Sequence, residues 1–126
     1  MNQTIIKTIN APAPIGPYNQ AVKAGNFLFV SGQIAIEPAT GELKTSNIQE
    51  QSVQVMKNIE AILKEAGYNF SDVVKTNIYL TSMNDFTTVN EVYTKFFTGN
   101  FPARETVAVA ALPKNVNVEI SVTAFR

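Results

Sequence analysis

The stretch VNVEISVTAF, Val116–Phe125, alternates apolar and polar residues with hardly a break. Successive side chains of a β-strand point to opposite faces, so Val116, Val118, Ile120, Val122 and Ala124 share one side. Asn117, Glu119, Ser121, Thr123 and Phe125 share the other. The first set needs an apolar layer to bury it. The second is half polar with one aromatic, a face that an antiparallel sheet can leave to water. It suits equally a face turned to another subunit and lining a site, and the strand alone leaves both open.

The covering layer is legible elsewhere. Between Thr45 and Ala66, residues Ile48, Val55, Met56, Ile59, Ile62, Leu63 and Ala66 recur at helical spacing. Ser46-Asn47-Ile48-Gln49 reads as a capping-box start and Gly67 as the stop. A second helix is expected over about Asn84–Phe97, with Phe86, Val89, Tyr93, Phe96 and Phe97 on its apolar face. Strand patterns fall at Ile5–Ile9, Phe27–Ser31, Val73–Leu80, Thr106–Ala110 and Val116–Phe125, with a short one near Gln20–Val22. No repeat or linker divides the 126 residues, so one domain spanning 1–126 is expected. The order of elements predicts an α+β fold: a single mixed sheet with two helices packed on one face.

Composition removes whole classes of chemistry. With no cysteine and no histidine, the chain has no thiol nucleophile, no disulfide, no Ser-His relay and no Cys- or His-based metal site. Catalysis would rest on carboxylates, hydroxyls, lysine, arginine or backbone groups. Ten basic residues balance ten acidic ones without a basic cluster, which disfavours a nucleic-acid partner. No apolar run is long enough to span a membrane, and the N-terminus lacks the pattern of a secretion signal. A soluble, cytoplasmic protein is expected.

Arginine is sparse: Arg104 is the one internal copy and Arg126 is the last residue. A guanidinium makes paired hydrogen bonds to a carboxylate that lysine cannot reproduce. Arg104 therefore suits a small carboxylic acid, or a structural ion pair with Glu105 or Glu119. Glu119, if half buried on its strand, would have a raised pKa and handle a proton near neutrality; if exposed it is an ordinary surface acid. Asn90 falls on the apolar stripe of the second helix, fit either to orient a ligand or to bond a neighbouring backbone. PIGPYNQA, Pro14–Ala21, is a stiff loop from which Tyr18 can overhang a pocket. FVSGQ, Phe29–Gln33, ends a strand in Ser31-Gly32, which suggests a bulge exposing backbone N–H groups, or a plain turn.

Taken together, IGPYNQA, VSGQIA, AG…DVVKTNIYL, DFTTVNEVY…FF, FPAR and LPKNVNVEI stand in the order and spacing of one family. Over roughly Pro14–Ala124 the chain resembles the Rid/YjgF family, the reactive-intermediate deaminases. The resemblance implies a chorismate-mutase-like subunit in a homotrimer with a site at each interface. It implies hydrolysis of 2-imino acids, such as 2-iminobutanoate and 2-iminopropanoate released by pyridoxal-phosphate enzymes, to 2-oxo acids and ammonia without a cofactor or metal. On the matching motifs, Arg104 would grip the substrate carboxylate, and Glu119 would position or activate water. Tyr18, Ser31, Gly32 and Asn90 would complete the site, Tyr18 with a catalytic part. The chain departs from the family's usual residues at Glu105, Thr106, Ala108, Ala111 and Ser121; Thr106 replaces a common cysteine. A non-catalytic regulator binding 2-oxo acids in the same intersubunit pocket is the alternative.

Overall fold

A 19-residue helix, α1 (Ile48–Ala66), is the centre of the core in the computed structural model, which describes residues 3–126. Val55, Met56, Ile59 and Ile62 are fully buried along it, each such side chain contributing about 1.5–3 kcal/mol. Its start lies one residue beyond the expected cap. The side chain of Asn47 accepts from the Glu50 N–H at 2.8 Å, so Asn47 rather than Ser46 caps the helix. The stop is as expected: Gly67 adopts φ 81°, and its N–H reaches the carbonyls of Leu63 and Lys64, a conformation that a Cβ would penalise.

Around α1 the chain forms β1 (Gln3–Ile6), β2 (Ala21–Ala24), β3 (Phe27–Gln33), β4 (Val73–Leu80), α2 (Phe86–Thr94), β5 (Ala103–Ala108) and β6 (Val118–Phe125). One sheet takes the order β1-β2-β3-β6-β4-β5. All neighbours are antiparallel except β4 and β5, which run parallel, so the sheet is mixed as expected. α1 packs on β1, β3 and β6 and against α2, and the hydroxyl of Tyr93 in α2 bonds Thr76 of β4 on the same side.

Several boundaries shift for local reasons. The first strand stops at Ile6 because the Thr8 N–H goes to the Gln20 side chain instead of a strand neighbour. The fifth begins at Ala103, just past Pro102, which has no N–H to give a ladder. The sixth begins after a turn in which Lys114 and Asn115 take φ of 55° and 57°. The second helix is shorter than expected: a 3₁₀ turn at Met83–Asp85 precedes it, and i→i+3 bonds from Lys95, Phe96 and Phe97 tighten its end. Among the described residues, no helix is long and apolar enough to cross a membrane.

β6 confirms its alternation. Val118, Ile120, Val122 and Ala124 are buried beneath the helices. On the reverse side Phe27, Phe29 and Phe125 cluster, the Phe27 ring centroid lying 6.0 Å from that of Phe29 and 4.9 Å from that of Phe125, yet they remain about half exposed with Ile5 and Val107. Neither helix covers that face.

Three polar side chains of α1 are buried against its neighbours. Asn58, fully buried, donates to the carbonyls of Ile34 (3.2 Å) and Ile36 (3.0 Å) and accepts from Gln54. Gln51 exchanges two bonds with Asn117, and the Ser52 hydroxyl bonds back to Ile48. Asn58 and Gln51 thus tie the segments beside β3 and β6 to α1. Asn58→Ala strands the buried-side Ile36 carbonyl and leaves that of Ile34 with only the Ile36 N–H. It should lower the unfolding free energy by about 2 kcal/mol or more in urea titration; a loss below about 0.5 kcal/mol would contradict this role.

Candidate functional site

Ser31 and Gly32 interrupt the β3–β6 ladder: Val30 pairs with Val122, then the register shifts and Gln33 pairs with Ile120. Of the two forms the sequence left open, a bulge or a plain turn, this is the bulge, but its N–H groups are not all free. The Ser31 N–H donates to the Gln20 carbonyl at 2.9 Å, and its hydroxyl donates to the Asn19 carbonyl at 2.6 Å. Ser31 therefore locks the preceding loop to the strand, and its hydroxyl offers only lone pairs to a ligand.

Gly32 has a more specific reason to lack a side chain. A Cβ there would lie 2.6 Å from Glu119 Oε2 and 2.8 Å from its carboxyl carbon, closer than non-bonded atoms approach. The bare backbone lets the Glu119 carboxylate lie against the bulge. Burial pushes the Glu119 pKa above the ordinary glutamate value, because water no longer fully solvates the charged form. Among the described residues no cation lies within ion-pair distance to reverse that shift.

Glu119, Ser31 and Gly32 open into a cavity of about 350 Å³. Tyr18 joins them there, with Ile15, Ile34, Ile36 and Pro113 among the other walls. The Tyr18 hydroxyl accepts from the Ile15 N–H at 3.3 Å, which leaves its own proton to donate. A residue the sequence analysis passed over sets this loop. Gln20 is buried; its side-chain Oε1 accepts from the Thr8 N–H, and its Nε2 donates to the carbonyls of Thr8, Ala11 and Pro12 at 2.9–3.2 Å. The loop rich in proline and glycine supplies few partners of its own, so one buried amide gathers its polar backbone.

Arg104 and Asn90 lie elsewhere. Arg104 is aligned with Thr76 in the parallel β4–β5 pair, and Thr76 is buried under α2. The guanidinium carbon sits 5.2 Å from the Tyr93 ring centroid and 5.7 Å from that of Phe86, in cation–π range. Arg104 Nη1 donates to Asn90 Oδ1 at 2.7 Å. Asn90 thus orients the arginine. Neither ion pair considered for Arg104 exists: Glu105 binds Lys75 at 2.9 Å, and Glu119, aligned with Tyr79, lies on the opposite face of the sheet. Among the described residues Arg104 has no carboxylate partner within 4.0 Å. Next along the same face of β5, the Thr106 hydroxyl is buried without a hydrogen-bond partner.

The six candidate residues therefore form two groups. Tyr18, Ser31, Gly32 and Glu119 surround the cavity, while Arg104 and Asn90 stand beyond the sheet at its β5 edge. Among the described residues, no group of three or more acidic side chains is gathered as a metal would need.

The chain is thus a one-sheet α+β domain with an arginine oriented by Asn90 at one edge and a half-buried glutamate on the other face. The chain is a member of the Rid/YjgF family: the family model described as Endoribonuclease L-PSP matches residues 8–126. It is 53% identical over 122 residues to a RutC family protein of Pyrococcus horikoshii, covering 97% of each chain. It is 46% identical to the human 2-iminobutanoate/2-iminopropanoate deaminase, covering 97% of this chain and 89% of that one. E. coli TdcF with bound serine superposes with a TM-score of 0.94 at 43% identity, covering 98% of both chains.

Gly32→Ala tests the contact that shapes the cavity. The added methyl must displace the Glu119 carboxylate or shift the bulge. We expect a fall of about tenfold or more in whatever turnover Glu119 supports, with the fold intact by circular dichroism. Full activity in a folded Gly32→Ala protein would show that the carboxylate position is unimportant.

Proposed function

We propose that the protein hydrolyses reactive 2-imino acids, among them 2-iminobutanoate and 2-iminopropanoate, to 2-oxo acids and ammonia. The observation that carries this is Glu119: a half-buried carboxylate of raised pKa, with no ion-pair partner among the described residues, given room at a cavity wall by a glycine. The kinship with a deaminase of that name supports the substrate class.

The chemistry needs only the chain's own groups. Arg104, aimed by Asn90, holds the substrate carboxylate through its fork of N–H donors. Water adds to the imine carbon while Glu119 takes a proton from it and passes that proton to the imine nitrogen, giving a neutral carbinolamine. Glu119, again a carboxylate, then takes the hydroxyl proton and delivers it to the amino nitrogen as the carbon–nitrogen bond breaks, so the carbonyl forms, ammonia leaves and the carboxylate is restored. One water is consumed and one ammonia released. Tyr18 can donate its phenol proton in a hydrogen bond to the nitrogen or oxygen, and Ser31 and Gly32 form the wall against which the reacting carbon lies. A positioned acid or base of this kind contributes about 10²–10⁴-fold.

The two residue groups occupy opposite faces of one subunit, so the proposal requires two copies. The β5 edge of one copy, with Arg104, would meet the cavity of the next, with Glu119. Such a head-to-tail contact forms a ring when the rotation between copies closes, and a homotrimer with a site at each interface is the ring proposed. The uncovered face bearing Phe27, Phe29 and Phe125 provides apolar surface for the assembly. Charge balance and a pI near 6.2 favour a small acid over a nucleic acid as ligand, despite the ribonuclease in the family description.

A second function is a binding protein for 2-oxo acids, without turnover. The serine bound to TdcF favours it, since that is a small carboxylic acid held by a close relative.

Release of imine by a threonine dehydratase, with semicarbazide trapping as the readout, separates the two. The wild type should suppress the trapped product. Glu119→Gln should keep 2-oxobutanoate binding and lose hydrolysis by about tenfold or more. Arg104→Lys, which keeps charge without the fork, should lose both by a comparable factor. Because the working form of Glu119 is the carboxylate, activity should fall on acidification through a pKa above 4.5, and this acid limb should vanish in Glu119→Gln. Unchanged turnover in Glu119→Gln would remove that residue from the mechanism, and binding without hydrolysis by the wild type would establish the regulator.

A further inference from the structure

Arg104 is oriented by neutral groups. A protein can fix an arginine by pairing it with a carboxylate, but the pair then neutralises the charge inside the chain. Among the described residues no carboxylate lies within 4.0 Å of Arg104. Its contacts come instead from Phe86, Asn90 and Tyr93, spaced four and three residues apart along one face of α2. Asn90 accepts one guanidinium N–H, and the two rings lie within cation–π range. The shallow cleft beside them, lined also by Thr94, Phe101 and Pro102, carries no other charged residue.

Tyr93 is firmly fixed. It is 3% exposed, and its ring centroid lies 4.7 Å from that of Phe97. Its hydroxyl donates to Thr76 Oγ1 at 2.9 Å, and Thr76 is the residue of β4 aligned with Arg104 in β5. The ring is thereby tied to the same rung of the sheet as the arginine it faces. Burial pushes the phenol pKa up, against the smaller opposing effects of the Thr76 bond and the Arg104 charge. The neutral phenol is therefore the form present near pH 7; a phenolate would pair with the guanidinium and cancel its charge.

We infer that Tyr93 is a positioning residue for the carboxylate anchor: its electron-rich ring face holds the Arg104 guanidinium in place while leaving the positive charge whole for the ligand. The inference rests on the proposed role of Arg104. A guanidinium ordered in advance loses less rotamer freedom when a carboxylate docks. The ring supplies that order through its quadrupole, so it uses none of the N–H donors that the carboxylate needs. Tyr93 acts on the ligand through Arg104, not by touching it.

The test replaces Tyr93 in the full chain by phenylalanine, a monofluorinated phenylalanine and a trifluorinated one. These side chains are nearly equal in shape, while the ring face becomes progressively less negative. Binding of 2-oxobutanoate by calorimetry and imine hydrolysis under semicarbazide competition are the readouts. From Tyr93→Phe to the trifluorinated ring, the Kd for 2-oxobutanoate should rise stepwise by about threefold or more. The KM for 2-iminobutanoate should follow it, with a smaller change in kcat. Tyr93→Leu, which removes the ring, should weaken binding by about tenfold; the fluorinated series decides the matter if that variant does not fold. A Kd that ignores fluorination, while Arg104→Ala abolishes binding, overturns the positioning role and leaves the anchor standing. A loss carried by kcat with Kd unmoved also overturns it. No binding of 2-oxobutanoate by the wild type, or binding unchanged in Arg104→Ala, overturns both.

Discussion

The period-two alternation of a β-strand governs how this molecule can work. It buries Val118, Ile120 and Val122 under α1 and, by the same geometry, turns Glu119 to the reverse face of the sheet. On the neighbouring edge it places Arg104 beside Thr76 and Tyr93, on the helix side. Two groups suited to one small acidic substrate are therefore kept apart by the thickness of the sheet. No rotamer change removes that separation, whereas a second copy of the chain offers a way around it. The uncovered aromatic face and the unpaired guanidinium are consistent with such an assembly: each is a feature that an isolated subunit leaves without a partner.

The supporting structure is built from buried amides. Gln20 holds the loop that carries Tyr18, Asn58 holds the segment that carries Ile34 and Ile36, and Gln51 holds Asn117 next to Glu119. A buried amide with every bond satisfied is costly to rearrange, since each broken bond leaves a desolvated group. Loops without regular structure thereby acquire fixed positions around the cavity. Gly32 completes the arrangement by giving the Glu119 carboxylate room against the bulge. Its desolvation there raises the pKa, which favours the exchange of a proton that the proposed mechanism asks of it.

Much of this was legible in the sequence, for identifiable reasons. The apolar stripe of α1, the Gly67 stop, β4 and the alternation of β6 all rest on local periodicity, and the bulge at Ser31-Gly32 rests on local composition. The cap was misplaced by one residue because Ser46 and Asn47 are both capable caps and only the helix geometry decides between them. Gln51 and Asn58 left a trace, as polar residues seven apart on an otherwise apolar stripe, but their carbonyl partners are distant in sequence. The short bridge between Ile36 and Leu43 lies in a stretch of turn residues with little periodic signal. The division of the candidate site was not legible at all. It depends on β5 pairing in parallel with β4 and on the register of both neighbours of β4, which are properties of the sheet as a whole. The family resemblance supplied the residues without saying which face each one occupies.

The central claim is that Arg104 of one copy serves Glu119 of another, and subunit complementation tests it most directly. Arg104→Ala and Glu119→Gln proteins, each nearly inactive alone, would be mixed in equal amounts, unfolded and refolded together. In randomly mixed rings an interface regains both intact residues when an Arg104-bearing copy faces a Glu119-bearing one. Imine hydrolysis should then recover to about a quarter of the wild-type level. If both residues act from the same chain, every site carries one defect and the mixture stays as inactive as its parts; that result would contradict the account.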